Sequence, residues 1–142
     1  MKMKEIVKSK IHPSFKLVNY FYPHKSKLKL TMDRWPHGSK RVVRAVYLLV
    51  LDGVVIKVGQ SIDFFRRMND YKYAIGHSCK KLTPILSEFL KQKDTRIEIY
   101  VRFYDEELYR IDEWGEKVTQ TDCVVSAEKK WKEYYKDTIL LP

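Results

Sequence analysis

The hydrophobic pattern is clearest between residues 43 and 71, where two apolar runs are separated by a polar break. Residues 45–51 are almost entirely apolar, and residues 54–58 form a second run, as expected of buried strands. Between them, Asp52-Gly53 favours a tight type I′ turn, because both central residues of that turn need positive φ. We therefore predict a β-hairpin.

A helix is predicted directly after the hairpin. Gly59 ends the second strand, and Ser61 is a suitable N-cap for a helix over residues 62–71. Asp63 is favourable near the positive end of that helix dipole. Strand, turn, strand and helix form the unit against which we expect the rest of the chain to pack.

Two further elements are predicted after this unit. A linker over residues 72–81 precedes Thr83-Pro84, a cap followed by proline at a first helical position, which begins a helix over residues 84–92. Residues 95–104 alternate between apolar and polar side chains. This alternation predicts a third strand beside the hairpin, with one face on the core.

A last helix is predicted over residues 127–136, with Ser126 as its cap. Trp131 and Tyr135 are four residues apart and share its apolar face. Glu128 falls in the first turn of this helix, near the buried side. A glutamate there often serves only the helix dipole, so its position alone leaves its role open.

The first 42 residues show no clean periodicity, although residues 25–30 alternate Lys with other residues and favour a short strand with one cationic face. We interpret residues 1–42 as a basic N-terminal extension and residues 43–142 as the main domain. The predicted fold class is α+β, with a small three-stranded antiparallel sheet flanked by helices.

The net charge of +10 lies almost wholly ahead of the hairpin. Residues 1–44 hold 12 of the 28 Lys and Arg but only 2 of the 18 acidic residues, so the remainder is balanced. A basic arm of this kind is suited to a polyanion, because neutralising phosphates releases counterions. A basic tail that only aids solubility is the alternative.

The remaining composition narrows the class of protein. A chain of 142 residues is long enough for one domain with one core. It has no apolar run of about 18 residues and no signal-peptide pattern at its start. His77, Cys79 and Cys123 lack the paired spacing of a zinc site. We expect a cytoplasmic protein with no membrane span and no organic cofactor.

Polar residues stand at unusual positions in the central unit. Tyr47 lies inside the first predicted strand and Lys57 inside the second, where apolar residues are the default. Arg67 and Tyr71 are four residues apart and share one face of the predicted helix. Gly59 lets backbone approach closely. On spacing alone, an ordinary amphipathic hairpin and helix is the favoured explanation of the pattern.

The combination resembles the GIY-YIG nuclease superfamily, in the branch of type II restriction endonucleases in which lysine replaces the tyrosine of YIG. The matching residues are Tyr47, Lys57, Val58, Gly59, Ser61, Arg67 and Tyr71. Ser126-Ala127-Glu128 resembles the motif of the metal-binding glutamate. Ala45-Val46 replaces Gly-Ile, and Lys57 replaces a tyrosine, which fits either the lysine branch or a decayed site that only binds.

The resemblance implies a sequence-specific DNA endonuclease that acts with one Mg²⁺, or Mn²⁺ as a substitute, on double-stranded DNA as a homodimer. It implies that Tyr47 is the general base, helped by Lys57, that Arg67 and Tyr71 hold the phosphate, and that Glu128 binds the metal. The expected DNA contacts are Lys25, Lys27, Lys29, Arg34, Lys40, Arg41, Arg44, Gln60, Lys72, Lys80 and Lys81.

Three alternatives stay open at this point. Arg66 competes with Arg67, and only the spacing to Tyr71 favours the latter. The enzyme class also includes repair, mobile-element and phage nucleases. From a different class, the chain is a catalytically silent DNA-binding module.

Overall fold

The computed structural model describes residues 10–24, 27–30, 44–73, 77–93, 96–104, 109–111 and 113–139. Its strands are β1 (Lys16–His24), β2 (Lys27–Leu30), β3 (Arg44–Leu51), β4 (Val54–Ser61), β5 (Ile97–Tyr104), β6 (Tyr109–Ile111) and β7 (Lys117–Thr119). Its helices are α1 (Phe64–Tyr73), α2 (His77–Lys93) and α3 (Gln120–Tyr134). No helix in these ranges is long and apolar enough to cross a membrane.

The α+β class is confirmed, and the predicted hairpin is present. β3 and β4 pair in antiparallel fashion around Asp52 and Gly53, whose φ angles of 51° and 77° are those of a type I′ turn. β5 pairs with the other side of β3 in antiparallel fashion, as the alternation over residues 95–104 predicts. β3 thus lies between β4 and β5 in the sheet.

The predicted three-stranded sheet is wrong in its number of strands. The main sheet has five, in the order β2-β1-β5-β3-β4, because β1 from the basic extension pairs with β5 and β2 pairs with β1. The register of β1 against β5 shifts between Leu17 and Asn19. This irregularity interrupts the two-residue alternation that identifies a strand, so the sequence pattern conceals β1.

The helix starts also differ from the prediction. α1 begins at Phe64 because Asp63, rather than Ser61, is its N-cap: the amide of Arg66 donates to Asp63 Oδ1 at 3.3 Å. Ser61 Oγ accepts instead from the amide of Asp63 at 3.0 Å. The serine therefore fixes the turn into the helix and the aspartate caps it.

Two further boundaries are corrected. The predicted linker over residues 72–81 is instead mostly helical, and α2 runs through Pro84 rather than beginning there. α3 begins at Gln120, so Ser126 is inside the helix and Glu128 is in its middle. Sequence patterns predict a helix start at the strongest cap or proline signal. Tertiary packing makes both helices begin several residues before those signals.

The sheet has a hydrophobic core on each face, because alternate residues of β3 point to opposite sides. Tyr47 and Leu49 belong to the core shared with α1 and α2. Val46 and Leu48 belong to the core shared with α3, where Trp131 is 1% exposed. α1 and α2 therefore lie on one face of the sheet and α3 on the other.

Candidate active site

A β-bulge in β4 determines which side chains share a face with Tyr47. Continued regularly from a two-residue turn, the hairpin pairs Tyr47 with Val58 and turns Lys57 to the opposite face. Instead, Val50 pairs with Val55 but Leu49 pairs with Lys57, so β4 contains one extra residue. The bulge therefore brings Lys57 onto the face of Tyr47.

The same shift places Gly59 directly opposite Tyr47. A Cβ added to Gly59 would lie 2.8 Å from Cε2 of Tyr47, and still closer to Cζ and the hydroxyl oxygen. The tyrosine ring thus lies against the backbone of β4 at Gly59. Glycine is required at position 59 because the ring of Tyr47 occupies the volume that any side chain there would need.

Two phenols meet on this face. The hydroxyl oxygens of Tyr47 and Tyr71 are 2.9 Å apart and form a buried hydrogen bond between β3 and α1. Tyr47 is 2% exposed and Tyr71 is 1% exposed. Their rings are nearly perpendicular, with centroids 6.1 Å apart. The two tyrosines that the sequence analysis selected are therefore in direct contact.

A cleft of about 360 Å³ lies between the end of β4 and the first turns of α1. It is lined by Ser61, Ile62, Asp63, Arg66, Arg67 and Asp70. Arg67 is half-buried and lies one helical turn before Tyr71, while Arg66 is exposed. Both arginines line the cleft, so the structure does not separate them by position.

Lys57 is half-buried and lies on the same face of the hairpin as Tyr47. It is diagonal to Tyr47 rather than opposite it, because Gly59 takes the opposite position. Diagonal neighbours on a sheet are within reach of a long side chain. The arrangement puts a primary amine and a phenol on one surface.

Glu128 is on the other side of the sheet. It forms an ion pair with Lys132, with Nζ and Oε1 3.2 Å apart, and its side chain is 23% exposed. One flank of α3 faces the segment before β1, where His12 lies 5.9 Å from the ring of Tyr134. Helical spacing puts Glu128 about 120° around the axis of α3 from Tyr134, so it does not share the flank that faces His12.

The structure thus brings Tyr47, Tyr71 and Lys57 together on one face, whereas Glu128 is on α3, across the sheet. Within the described ranges, no group of three or more His, Cys, Asp or Glu side chains is placed to hold a metal ion. A single partly exposed carboxylate still fits Mg²⁺, which keeps several waters and needs only one or two carboxylates.

The predicted DNA contacts are scattered over the chain. Lys25, Arg34, Lys40 and Arg41 lie outside the described residues, as does the side chain of Lys27. Lys29 is on β2, Arg44 begins β3, Lys72 is near the end of α1, and Lys80 and Lys81 are exposed on α2. The described positions lie on four elements, β2, β3, α1 and α2.

Gln60 does not lie on the tyrosine face. It pairs with Val46, which faces α3, and its Oε1 is buried without a hydrogen-bond partner. Asp63 and Asp70 line the cleft but were not selected as site residues from the sequence. Their spacing of four and three residues from Arg67 is the signal that places them on the same flank of α1.

Comparison with known proteins supports the fold. No protein-family model matches the sequence, and no curated protein sequence matches it. A Glu-to-Ala variant of bacteriophage T4 EndoII has a similar structure, with a TM-score of 0.55 and 16% sequence identity over 87% of this chain and 88% of that chain. The restriction endonuclease HPY188I in complex with product DNA gives a TM-score of 0.46 and 17% identity over 88% of this chain and 78% of that one.

The chain shares its fold with EndoII along most of its length. The matched part is larger than residues 43–142 alone, so the similarity extends into the basic N-terminal extension. The pairing of β1 and β2 onto the main sheet agrees with this extent.

Proposed function

We propose that the chain is a metal-dependent DNA endonuclease of the type II restriction kind, which hydrolyses phosphodiesters in double-stranded DNA. The observation that carries the proposal is the buried Tyr47–Tyr71 hydroxyl pair, together with Arg67, which lies four residues before Tyr71 on α1 and lines a cleft at the start of that helix. The fold shared with the endonuclease EndoII supports the same class of function.

Tyr47 is the proposed general base. An ordinary phenol has a pKa of about 10, so it accepts a proton near neutral pH only if a nearby cation favours the phenolate. Lys57 is the proposed source of that charge, since the bulge in β4 puts it on the face of Tyr47. The lysine would also orient the attacking water.

Arg67 and Tyr71 are the proposed phosphate ligands. A planar guanidinium matches the geometry of phosphate oxygens better than a point charge does. The Tyr47–Tyr71 hydrogen bond is buried, so phosphate reaches the two hydroxyls only when side chains at the cleft move. We expect DNA binding to replace this hydrogen bond with one from Tyr71 to the phosphate.

Glu128 is the proposed ligand of Mg²⁺, with Mn²⁺ as a substitute. The ion, when bound, supplies positive charge that stabilises the departing oxygen. Because Glu128 and the tyrosine pair are on opposite faces of the sheet, this role requires the phosphate to lie at the β4 edge, where the two faces meet. Ion pairing with Lys132 must be released first.

One observation favours a second candidate function, a catalytically silent DNA-binding module. Both tyrosine hydroxyls bond to each other in the protein interior rather than being exposed to substrate. Repair, mobile-element and phage nucleases are related alternatives, which differ from a restriction enzyme in the DNA they cut rather than in the residues that cut it.

Purified protein incubated with unmodified phage DNA and Mg²⁺ separates these functions. Discrete fragments identify a restriction enzyme, whereas smearing or structure-dependent nicking identifies another nuclease. DNA that is retarded on a gel but intact identifies a binding module. We expect Arg67→Ala and Glu128→Ala to lower the cleavage rate by about a hundredfold or more, with DNA affinity changed much less.

Matched controls lie on the same helices. Arg66→Ala removes the neighbouring guanidinium of α1, and Glu133→Ala removes an exposed carboxylate of α3. If Glu128→Ala cuts at the wild-type rate in Mg²⁺, the metal assignment is wrong. If Arg66→Ala is the more damaging arginine variant, the phosphate ligand is Arg66.

The proposed DNA surface consists of the basic extension together with Arg44, Lys72, Lys80 and Lys81. We also propose a homodimer, since two active sites related by a two-fold axis cut both strands of a palindromic site. Analytical ultracentrifugation with and without DNA tests the dimer. Protein that stays monomeric when bound to DNA containing its cleavage site would contradict the proposed homodimer.

A further inference from the structure

We propose that Thr83 is a positioning residue that holds Tyr71 at the active site through the backbone of α1. This inference rests on the proposed function, because Tyr71 is one of its phosphate ligands. Thr83 itself is buried, does not line the cleft and is not proposed to contact DNA.

The inference rests on one short hydrogen bond between α1 and α2. Thr83 Oγ1 donates to the backbone carbonyl oxygen of Tyr71 at 2.6 Å. Thr83 is 0% exposed and Tyr71 is 1% exposed, so the bond is shielded from water. A buried hydrogen bond has no competing solvent and fixes both of its partners.

The carbonyl of Tyr71 lies in the last turn of α1, which ends at Tyr73. The hydroxyl of Thr83 supplies a donor from α2 to this carbonyl. The end of α1 is therefore anchored to α2 at the residue that carries the phenol.

The local sequence of α2 is unfavourable for a helix at this point. Threonine is a weak helix former, and its hydroxyl commonly bonds to a carbonyl of its own helix. Pro84 follows and cannot donate to the carbonyl of Lys80. Helix propensity does not account for Thr83-Pro84 inside α2, whereas the bond to α1 gives Thr83 a specific use.

Tyr71 is consequently fixed at two points. Its hydroxyl bonds to Tyr47 on β3, and its backbone bonds to Thr83 on α2. A catalytic group displaced by about 1 Å can lose about a hundredfold in rate. Loss of the Thr83 bond should therefore lower the rate of the chemical step without removing any group that touches DNA.

The test is Thr83→Val, which keeps the shape of the side chain and removes the hydroxyl. We expect kcat for cleavage to fall about tenfold with KM unchanged, and Thr83→Ser to restore it. Ser87→Ala is the matched control, because Ser87 is a buried hydroxyl one turn further along α2 and 1% exposed. In a Tyr71→Phe background, Thr83→Val should change the rate less than about twofold.

A second readout does not depend on cleavage. In protein with isotope-labelled tyrosine, the NMR signal of the Tyr71 ring is assigned by its loss in Tyr71→Phe. Thr83→Val should move or broaden this signal, while Thr83→Ser and Ser87→Ala should leave it in place. If the valine variant does not fold, Thr83→Ala replaces it.

The outcomes are distinct. An unchanged Tyr71 signal in Thr83→Val overturns the inference, and so does an equal rate loss with and without the Tyr71 hydroxyl. If wild-type protein cuts no DNA but Thr83→Val still moves the Tyr71 signal, the proposed nuclease function is wrong and the anchoring of Tyr71 by Thr83 stands.

Discussion

Gly59 shows how one position without a side chain determines the geometry of its neighbour. The ring of Tyr47 occupies the space above it, so the orientation of the phenol depends on the absence of a Cβ. Its backbone is not in the left-handed region, since the positive-φ glycines of the described chain are Gly53 and Gly115. The requirement at Gly59 is steric, not conformational.

Gly59→Ala should therefore displace the Tyr47 ring and destabilise the fold by about 1–3 kcal/mol, the usual effect of overpacking a core. Urea unfolding measures the stability, and cleavage should be lost in parallel. Gly115→Ala is the control for backbone strain without overpacking. Its φ of +78° is unfavourable for alanine, but no atom lies within 4 Å of an added Cβ. A wild-type cleavage rate in Gly59→Ala would contradict the assigned position of Tyr47.

The hydrogen bond between Tyr47 and Tyr71 links β3 to α1 in the protein interior. A double-mutant cycle with Tyr47→Phe, Tyr71→Phe and the double variant should give a coupling free energy of about 1 kcal/mol in urea unfolding. Tyr73→Phe is the control, since Tyr73 is on the same helix but 54% exposed. Additive effects of the two substitutions would mean that the hydroxyls are not bonded.

At the scale of the elements, the hairpin and the third strand follow from the sequence because their signals are local. An Asp-Gly turn between apolar runs and strict alternation over eight residues need no knowledge of distant contacts. The bulge in β4 is different. No residue type in β4 predicts the bulge, yet the bulge determines whether Lys57 shares a face with Tyr47.

The elements that escape prediction depend on long-range packing. β1 pairs with β5, some eighty residues away in the chain, and its register shift hides the alternation. α2 continues through Pro84 because its apolar side chains, including Leu82, Leu86 and Leu90, are buried along its length. Packing of this kind outweighs a local helix-breaking signal.

The cap of α1 gives a prediction at the same scale. Asp63 accepts from the amide of Arg66 and lies in the cleft with both arginines. Asp63→Ala should cost about 1 kcal/mol in unfolding free energy, while Asp63→Asn should keep most of the cap. Because the asparagine variant removes a negative charge beside the arginines, it should also bind DNA more tightly. Weaker DNA binding by Asp63→Asn would mean that the DNA phosphate does not lie in the cleft beside Asp63.

For the whole molecule, tyrosine ionisation predicts how stability depends on pH. Burial, followed by the Glu98 carboxylate, raises the pKa of Tyr100 above its ordinary value of 10.0. Burial likewise raises the pKa of Tyr135. Because the pKa of each phenol is higher in the folded state, the folded protein holds the proton more tightly than the unfolded chain does. The stabilisation that these protonated tyrosines give is complete below about pH 10, and it is lost as pH rises through the folded-state pKa.

The free energy of unfolding should therefore decline above about pH 10. Tyr100→Phe should reduce the steepness of this decline, and Glu98→Gln should reduce it by a smaller amount because burial remains. Urea unfolding at a series of pH values measures both effects. An identical decline in wild type and Tyr100→Phe would show that Tyr100 does not contribute.

Cleavage by wild type and by Tyr47→Phe under the same conditions tests whether the tyrosine pair is catalytic. Wild-type protein and Tyr47→Phe are incubated with the same unmodified phage DNA in Mg²⁺, and cleavage and binding are measured together. We expect discrete fragments from wild type, and from the variant a cleavage rate at least about a hundredfold lower with affinity within about threefold. Equal cleavage by both proteins, or DNA bound but left intact by wild type, would contradict the claim.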